Sequence, residues 1–180
     1  MGFFSFLKRA FGVSPPQGKV LLLGLDNAGK STILNYMKDE VKDNITVPTV
    51  GYSLEEFTFQ GISFNCYDMS GQQRYRDLWE HYIKDCQAII FVIDATDALR
   101  LCVAKEELGS VISHEDLKPV PILIFGNKMD LPEAESPAAI TSNLELPLLL
   151  KDSDYHICGS CALNGDGLEN GFSWLVQKLK

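Results

Sequence analysis

Apolar positions in this chain follow two spacings, continuous runs and helical stripes, which succeed one another from end to end. Lys19 to Leu23 is a short apolar run, and Lys30 to Met37 then reads as a helix. Ser53 to Phe59 and Ser63 to Tyr67, parted by Gln60-Gly61, read as a hairpin. Ala88 to Asp94 and Pro121 to Phe125 are unbroken apolar runs, the pattern of strands buried on both faces. A helix is expected from Ala98 to Ile112, another within Pro137 to Leu144, and a last strand from Tyr155 to Cys158. Leu168, Phe172, Leu175, Val176 and Leu179 make one apolar stripe at helical spacing. Such alternation implies an α/β fold with a mostly parallel sheet covered by helices on both faces.

The pattern divides the chain into residues 1–16 and residues 17–180. Phe3, Phe4, Phe6, Leu7, Phe11 and Val13 crowd the first segment beside Lys8 and Arg9, and Ser14-Pro15-Pro16-Gln17-Gly18 breaks any helix. Phe3, Phe4, Leu7 and Phe11 share one helical face, which fits an amphipathic helix lying on a membrane surface. Folding back into an apolar groove of its own domain is the alternative. Gly2 is a candidate for acylation, although Phe6 stands where the consensus wants Ser or Thr and the serine is Ser5. No apolar run reaches the roughly 18–20 residues that span a bilayer.

Composition narrows the function. The 180 residues suit one domain. A net charge of −8, from 16 basic and 24 acidic residues, argues against general nucleic-acid binding. Five scattered cysteines suggest reduced thiols in a cytoplasmic protein. Cys158 and Cys161 form a C-x-x-C, which reads either as half a metal or redox site or as two small residues near a strand end.

Gly24-Leu25-Asp26-Asn27-Ala28-Gly29-Lys30-Ser31 fits G-x-x-x-x-G-K-[ST] between a strand and a helix. Glycines let the backbone curl so that several N–H groups face an anion, and the helix N-terminus adds partial positive charge. Lys30 would reach the β- and γ-phosphates, Ser31 would hold Mg²⁺, and Thr32 completes the set. This loop alone does not choose between ATP and GTP.

Asn127-Lys128-Met129-Asp130 follows a buried strand at its carboxyl end, where open α/β sheets place ligands. A carboxylate at Asp130 accepts from guanine N1–H and its exocyclic amine, whereas adenine presents an acceptor there. Asn127 would support the loop and the base edge, and the Lys128 stem would lie along the purine face.

Two further segments are switch candidates. Thr49 could give Mg²⁺ a second hydroxyl when a γ-phosphate is present. In Asp68-Met69-Ser70-Gly71-Gln72, Asp68 could bind Mg²⁺ through water, the Gly71 N–H could meet the γ-phosphate, and Gln72 could orient the attacking water. No arginine lies between Lys42 and Thr49, and Asp26 brings negative charge to the phosphates. Both features predict slow hydrolysis that waits for a partner.

With these motifs in order, followed by Ser160-Cys161-Ala162, the chain resembles an ARF-like small GTPase from about residue 17 to its end. The resemblance implies the P-loop small G-protein fold with a six-stranded sheet, GTP or GDP with Mg²⁺, an exchange factor, an activating protein and an effector coat. It implies that backbone amides at Cys161 and Ala162 meet guanine; Leu163 replaces the usual threonine. The run from Asp68 to Tyr82, with Ser70 where most relatives have glycine, is similar to the Bardet–Biedl branch, which recruits the BBSome coat to ciliary membranes. Tyr52, Tyr67 and Tyr82 match the family's effector-binding aromatics, ordinary half-buried packing being the alternative. By resemblance, GTP would shift the hairpin register, close the switches and release the N-terminal helix onto membrane at the cilium or its base. A GTP-holding scaffold, another trafficking branch and an ATP-using kinase are the competing readings.

Overall fold

The computed structural model describes residues 16–38 and 49–180. The expectations for residues 1–15, Gly2 among them, lie outside the described residues. Among those described, six strands form one sheet in the order β2-β3-β1-β4-β5-β6. These are β1 (Gln17–Leu23), β2 (Tyr52–Phe59), β3 (Ile62–Met69), β4 (Ala88–Asp94), β5 (Ile122–Asn127) and β6 (Tyr155–Gly159). Only the β2–β3 pair is antiparallel. Gln60 and Gly61 join that pair with φ of 45° and 83°, the left-handed backbone of a tight hairpin turn.

The helices are α1 (Lys30–Met37), α2 (Glu80–Ile83), α3 (Leu101–Ile112), α4 (Pro137–Asn143), α5 (Leu146–Leu149) and α6 (Leu168–Leu179). Period-two alternation in the strands divides the core into two layers. Leu21, Leu23, Ile89, Phe91, Ile122 and Ile124 face one layer, with Leu101, Leu108 and Ile140. Val20, Leu22, Ile90, Val92, Leu123 and Phe125 face the other, with Ile33, Leu34, Phe172 and Leu175. Phe172 is the hub of that second layer, with its ring 5.5 Å from Phe57 and 5.8 Å from both Phe64 and Phe125. Burying such a side chain is worth roughly 1.5–3 kcal/mol, so the α6 stripe is fastened mainly here.

The expected elements are present, with local differences. Ala98 to Ile112 divides into a 3₁₀ turn, Ala98–Arg100, followed by α3. Asp97 accounts for the break, because its carboxylate accepts from Arg100 N and Nε and caps the turn. Three elements escape the sequence pattern, among them the four-residue helix α2. The 3₁₀ segment Gln73–Leu78 buries no residue and so shows no periodicity. Helix α5 is only four residues long.

The parallel topology brings the C-terminal ends of β1, β3, β4 and β5 to one edge. The phosphate loop, the Asp68–Gln72 turn and the Asn127–Asp130 loop all leave the sheet there, as expected where strand order reverses about β1.

Candidate functional site

A cavity of about 470 Å³ opens at that edge. Asp26, Asn27, Gly29, Lys30, Ser31, Thr32, Thr49, Gly71, Gln72, Asn127, Lys128, Asp130 and Ala162 line it. The structure thus brings together residues from five separated segments. Gly24, Leu25, Ala28 and Cys161 do not line it. Gly24 and Leu25 turn their carbonyls to Lys30 Nζ, at 2.9 and 2.8 Å.

The phosphate end is built from the start of α1. Gly29 caps that helix with φ 97°, and a Cβ there would stand 2.2 Å from Asn127 Nδ2. Glycine is needed for both the backbone angle and the close approach. Lys30 is nearly buried, and its ammonium is pushed down to about 8 by burial, against the attraction of Asp68 and Asp26, with Arg76 lowering it further.

Three oxygens converge beside it. Ser31 Oγ donates to Asp68 Oδ2 at 2.5 Å and lies 3.2 Å from Thr49 Oγ1, which is 3.5 Å from the same carboxylate oxygen. Asp68 Oδ1 is buried without a hydrogen-bond partner among the described residues. Burial raises the Asp68 carboxyl above its usual range, against the hydrogen bond from Ser31 and the charge of Lys30. Two hydroxyls and a desolvated carboxylate form a hard oxygen set of the kind that Mg²⁺ takes, and the orphaned oxygen is where a metal-bound water would dock.

Asp26 lines the cavity as the sequence suggests, but its charge is not left unpaired. Its carboxylate lies 3.1 Å from Arg100 Nη1 and 3.9 Å from Arg76 Nη2. Its charge is therefore largely answered by two arginines, and repulsion of phosphate by Asp26 no longer supports slow chemistry. The lack of an arginine between Lys42 and Thr49 still does.

At the base end, Asn127 ties loops together. Its Nδ2 donates to Ala28 O at 2.9 Å, while Oδ1 accepts from Ala162 N at 3.0 Å and Ser160 Oγ at 3.3 Å. Lys128 adopts φ 71°, and its ammonium donates to Asp94 Oδ2 at 2.6 Å, which lays the stem across the loop. Burial alone would raise Asp94, but hydrogen bonds from Lys128 and Thr96 hold it below the usual carboxylate range. Asp130 is exposed at the rim, beside Leu131 and Leu163. Cys161 is buried, its N–H donates to Asp166 O at 2.9 Å, and so it closes the loop from within. Burial pushes the Cys158 thiol up to about 11, and among the described residues no group of three His, Cys, Asp or Glu could hold a metal.

Asp94, Arg76 and Arg100 were missed in the sequence. Asp94 carried a signal, since it ends an apolar strand at the ligand edge. The arginines carried none for this role, because Asp26 and Glu107 are remote from them in the chain.

Tyr52, Tyr67 and Tyr82 gather where β2, β3 and α2 meet, with Tyr67 and Tyr82 partly buried against the first core layer. Tyr52 and Tyr82 lie 4.9 Å apart between ring centroids, Tyr67 and Tyr82 5.1 Å. A hydrogen bond shared with Tyr52 is the main reason the Tyr82 phenol is pushed up to about 12. Tyr52 is half exposed, as is Leu54 beside it.

A phosphate loop on β1–α1, a hydroxyl–carboxylate cluster and a carboxylate at the base end of an α/β sheet define a guanine-nucleotide-binding domain of the P-loop class. Residues 3–179 match the ADP-ribosylation factor family, to which the chain belongs, and it is a GTPase. ADP-ribosylation factor-like protein 6 of Danio rerio is 47% identical over 183 residues, covering 100% of this chain and 98% of the relative. The protein of that name in Caenorhabditis elegans is 42% identical, over 99% of this chain and 95% of the relative. The structure of the Arl6 BBS3 small GTPase from Trypanosoma brucei, with bound nucleotide analogue GppNp, superposes with a TM-score of 0.84 at 39% identity, covering 91% of this chain and 97% of that one. These relatives uphold the resemblance to the Bardet–Biedl branch of ARF-like proteins.

Proposed function

We propose that this chain is a GTP-dependent switch which, in its GTP form, associates with membrane and recruits an effector coat, the BBSome, for trafficking of ciliary membrane proteins. One observation carries the reading: Thr49 and Gly71, from two segments outside the phosphate loop, both reach the phosphate end of the cavity. A γ-phosphate and its Mg²⁺ would therefore organise both segments at once. The second segment continues directly into the tyrosine cluster, since Ser70 N donates to Gly51 O at 2.9 Å, next to Tyr52. One hydrogen bond and two adjacent residues would thus link nucleotide state to the tyrosine cluster.

In this reading Ser31 and Thr49 ligate Mg²⁺, Asp68 holds it through water, and Gln72 orients the attacking water. Intrinsic hydrolysis is slow and awaits an activating protein. An exchange factor loads GTP. Residues 1–16 supply membrane affinity, with Gly2 as a site of acylation, and residues 17–180 form the GTPase domain. The names of the relatives above support the ciliary branch. No helix among the described residues is long and apolar enough to cross a membrane, so attachment through a surface segment suits the chain.

A pull-down from ciliated-cell lysate with the full chain locked on a non-hydrolysable GTP analogue tests this. BBSome subunits should be retained by that form and not by the GDP form. Recovery of a different coat in their place overturns the branch, and liposome flotation that is equal in both nucleotide forms overturns the membrane switch.

A further inference from the structure

The turn that carries Gln72 is held from outside by a partly buried arginine, Arg76, whose role the proposed function does not include. Arg76 Nε donates to Gly71 O at 3.0 Å. That carbonyl and the Gln72 N–H belong to the same rigid peptide plane. The guanidinium is itself clamped, because Nη1 donates to Glu107 Oε1 at 2.6 Å, while Nη2 lies 3.9 Å from Asp26 Oδ1. Its side chain is only 12% exposed. Glu107 projects from α3, which is anchored in the core by Leu101, Ala104, Leu108 and Val111. A rigid helix thus reaches through Arg76 to the peptide next to Gln72.

The neighbouring peptides are held as well. Trp79 Nε1 donates to Ser70 O at 3.1 Å, Tyr75 N donates to Gln72 O at 2.9 Å, and Gln72 N lies 3.4 Å from Ser70 Oγ. Among these bonds to the backbone of the turn, only the one from Arg76 comes from a charged group. Charge-assisted bonds are shorter and about twice as strong as neutral ones. The Gln72 side chain rests on Arg74 Nε at 3.1 Å, an exposed contact that it can leave at little cost. Its backbone has no comparable freedom.

From this geometry we infer that Arg76, clamped by Glu107, is a positioning residue for GTP hydrolysis, fixing the Gly71–Gln72 peptide so that the Gln72 amide can meet the attacking water. The inference rests on the role proposed for Gln72. An ion pair of purely structural value would add little to stability and would leave the reaction untouched. A misplacement of about 1 Å at a reacting group can lower a rate by up to about a hundredfold.

The test preloads full-length protein with GTP and follows single-turnover hydrolysis by chromatography of the extracted nucleotide. Wild type is compared with Gln72→Leu, Arg76→Ala, Arg76→Lys, Glu107→Gln and the Arg76→Ala/Gln72→Leu double variant. GTP release is measured in parallel. Arg76→Ala should slow hydrolysis by ~10-fold or more with GTP release unchanged, Arg76→Lys should recover part of the rate, and the double variant should be no slower than Gln72→Leu. A wild-type rate in Arg76→Ala, or losses that add in the double variant, overturns the inference. Wild-type hydrolysis in Gln72→Leu overturns the role of Gln72 instead. In that event, or if turnover is too slow to follow, the amide spectrum with a non-hydrolysable GTP analogue decides. Arg76→Ala should move the Gln72 backbone resonance and leave that of Asp130 in place, and an unmoved Gln72 resonance overturns the clamp.

Discussion

Asn127 and Ala28 lie 99 positions apart and are joined by a hydrogen bond of 2.9 Å from Nδ2 to the carbonyl oxygen. The far end of the same side chain accepts from Ala162 N and Ser160 Oγ. One buried amide therefore ties the phosphate loop to both base-end loops. An Asn127→Ala chain strands the Ala28 carbonyl and the Ala162 amide, each at roughly 1–3 kcal/mol. Thermal unfolding should fall by about 5 °C or more. GDP release should quicken at least ~10-fold, because the two halves of the cavity lose their common strut. Stopped-flow release of a fluorescent GDP analogue measures this, and an unchanged rate would show that the loops hold each other without Asn127.

Asp130 stands at the rim of the cavity beside Lys128. If its carboxylate takes both N1–H and the exocyclic amine of guanine, inosine nucleotides, which lack that amine, should bind more weakly. A hydrogen bond to a charged group is worth about 1.5–3 kcal/mol, or roughly 10- to 150-fold. Asp130→Ala should weaken GTP strongly and erase its advantage over ITP. Competition binding on the wild type and the variant checks both parts. Discrimination that survives in the variant would move base reading to the Ala162 and Leu163 backbone.

The parts of this site that were legible in the sequence are those whose partners lie close by in the chain. The phosphate loop announces itself because one turn of backbone needs Gly29, Lys30 and Ser31 in succession, and the buried strands announce themselves by composition. The Asp68 and Asn127 motifs were readable only through their order relative to that loop. Asp26 was misjudged because Arg76 and Arg100, which answer its charge, are brought to it by tertiary packing alone. Cys161 was placed in the nucleotide contacts by resemblance, whereas its N–H closes on Asp166 O within the loop. The segment from Gln73 to Leu78 was invisible because a stretch that buries nothing carries no hydrophobic rhythm.

Lys30 makes binding pH-dependent. Among protein groups alone its ammonium is pushed from 10.5 down to about 8, chiefly by burial. The folded pKa lies below the unfolded one, so the neutral amine favours folding at high pH, and that contribution fades as pH falls from about 10.5 towards 8. A bound phosphate chain reverses the balance by holding the ammonium charged. GDP binding at pH near 9, between those two values, should therefore take up a fraction of a proton. Calorimetry in two buffers of different ionisation heat reads the uptake directly. It should vanish in Lys30→Met, and its persistence there would assign the proton to another group.

Gly71 meets the phosphate loop more closely than any side chain could. A Cβ at this position would stand 2.2 Å from Leu25 C and 2.3 Å from Asp26 N. Both are backbone atoms of a loop stapled by Lys30 and Asn127, so neither can swing aside as a flexible side chain would. Overpacking of this kind typically costs about 1–3 kcal/mol, and the least costly relief is retreat of the Ser70–Gln72 turn from the phosphates. That retreat penalises only the state in which the turn must approach a γ-phosphate. Gly71→Ala should then bind GDP nearly as well as wild type while its preference for a GTP analogue falls by ~10-fold. Trp79 offers a direct readout, because its indole N–H donates to Ser70 O and moves with the turn. In a Trp174→Phe background, which leaves Trp79 as the single tryptophan, its fluorescence change on exchanging GDP for the analogue should be lost in Gly71→Ala. If the change persists at full size, the phosphate loop has yielded and the turn has not, and the close approach of Gly71 would be packing without a sensing role.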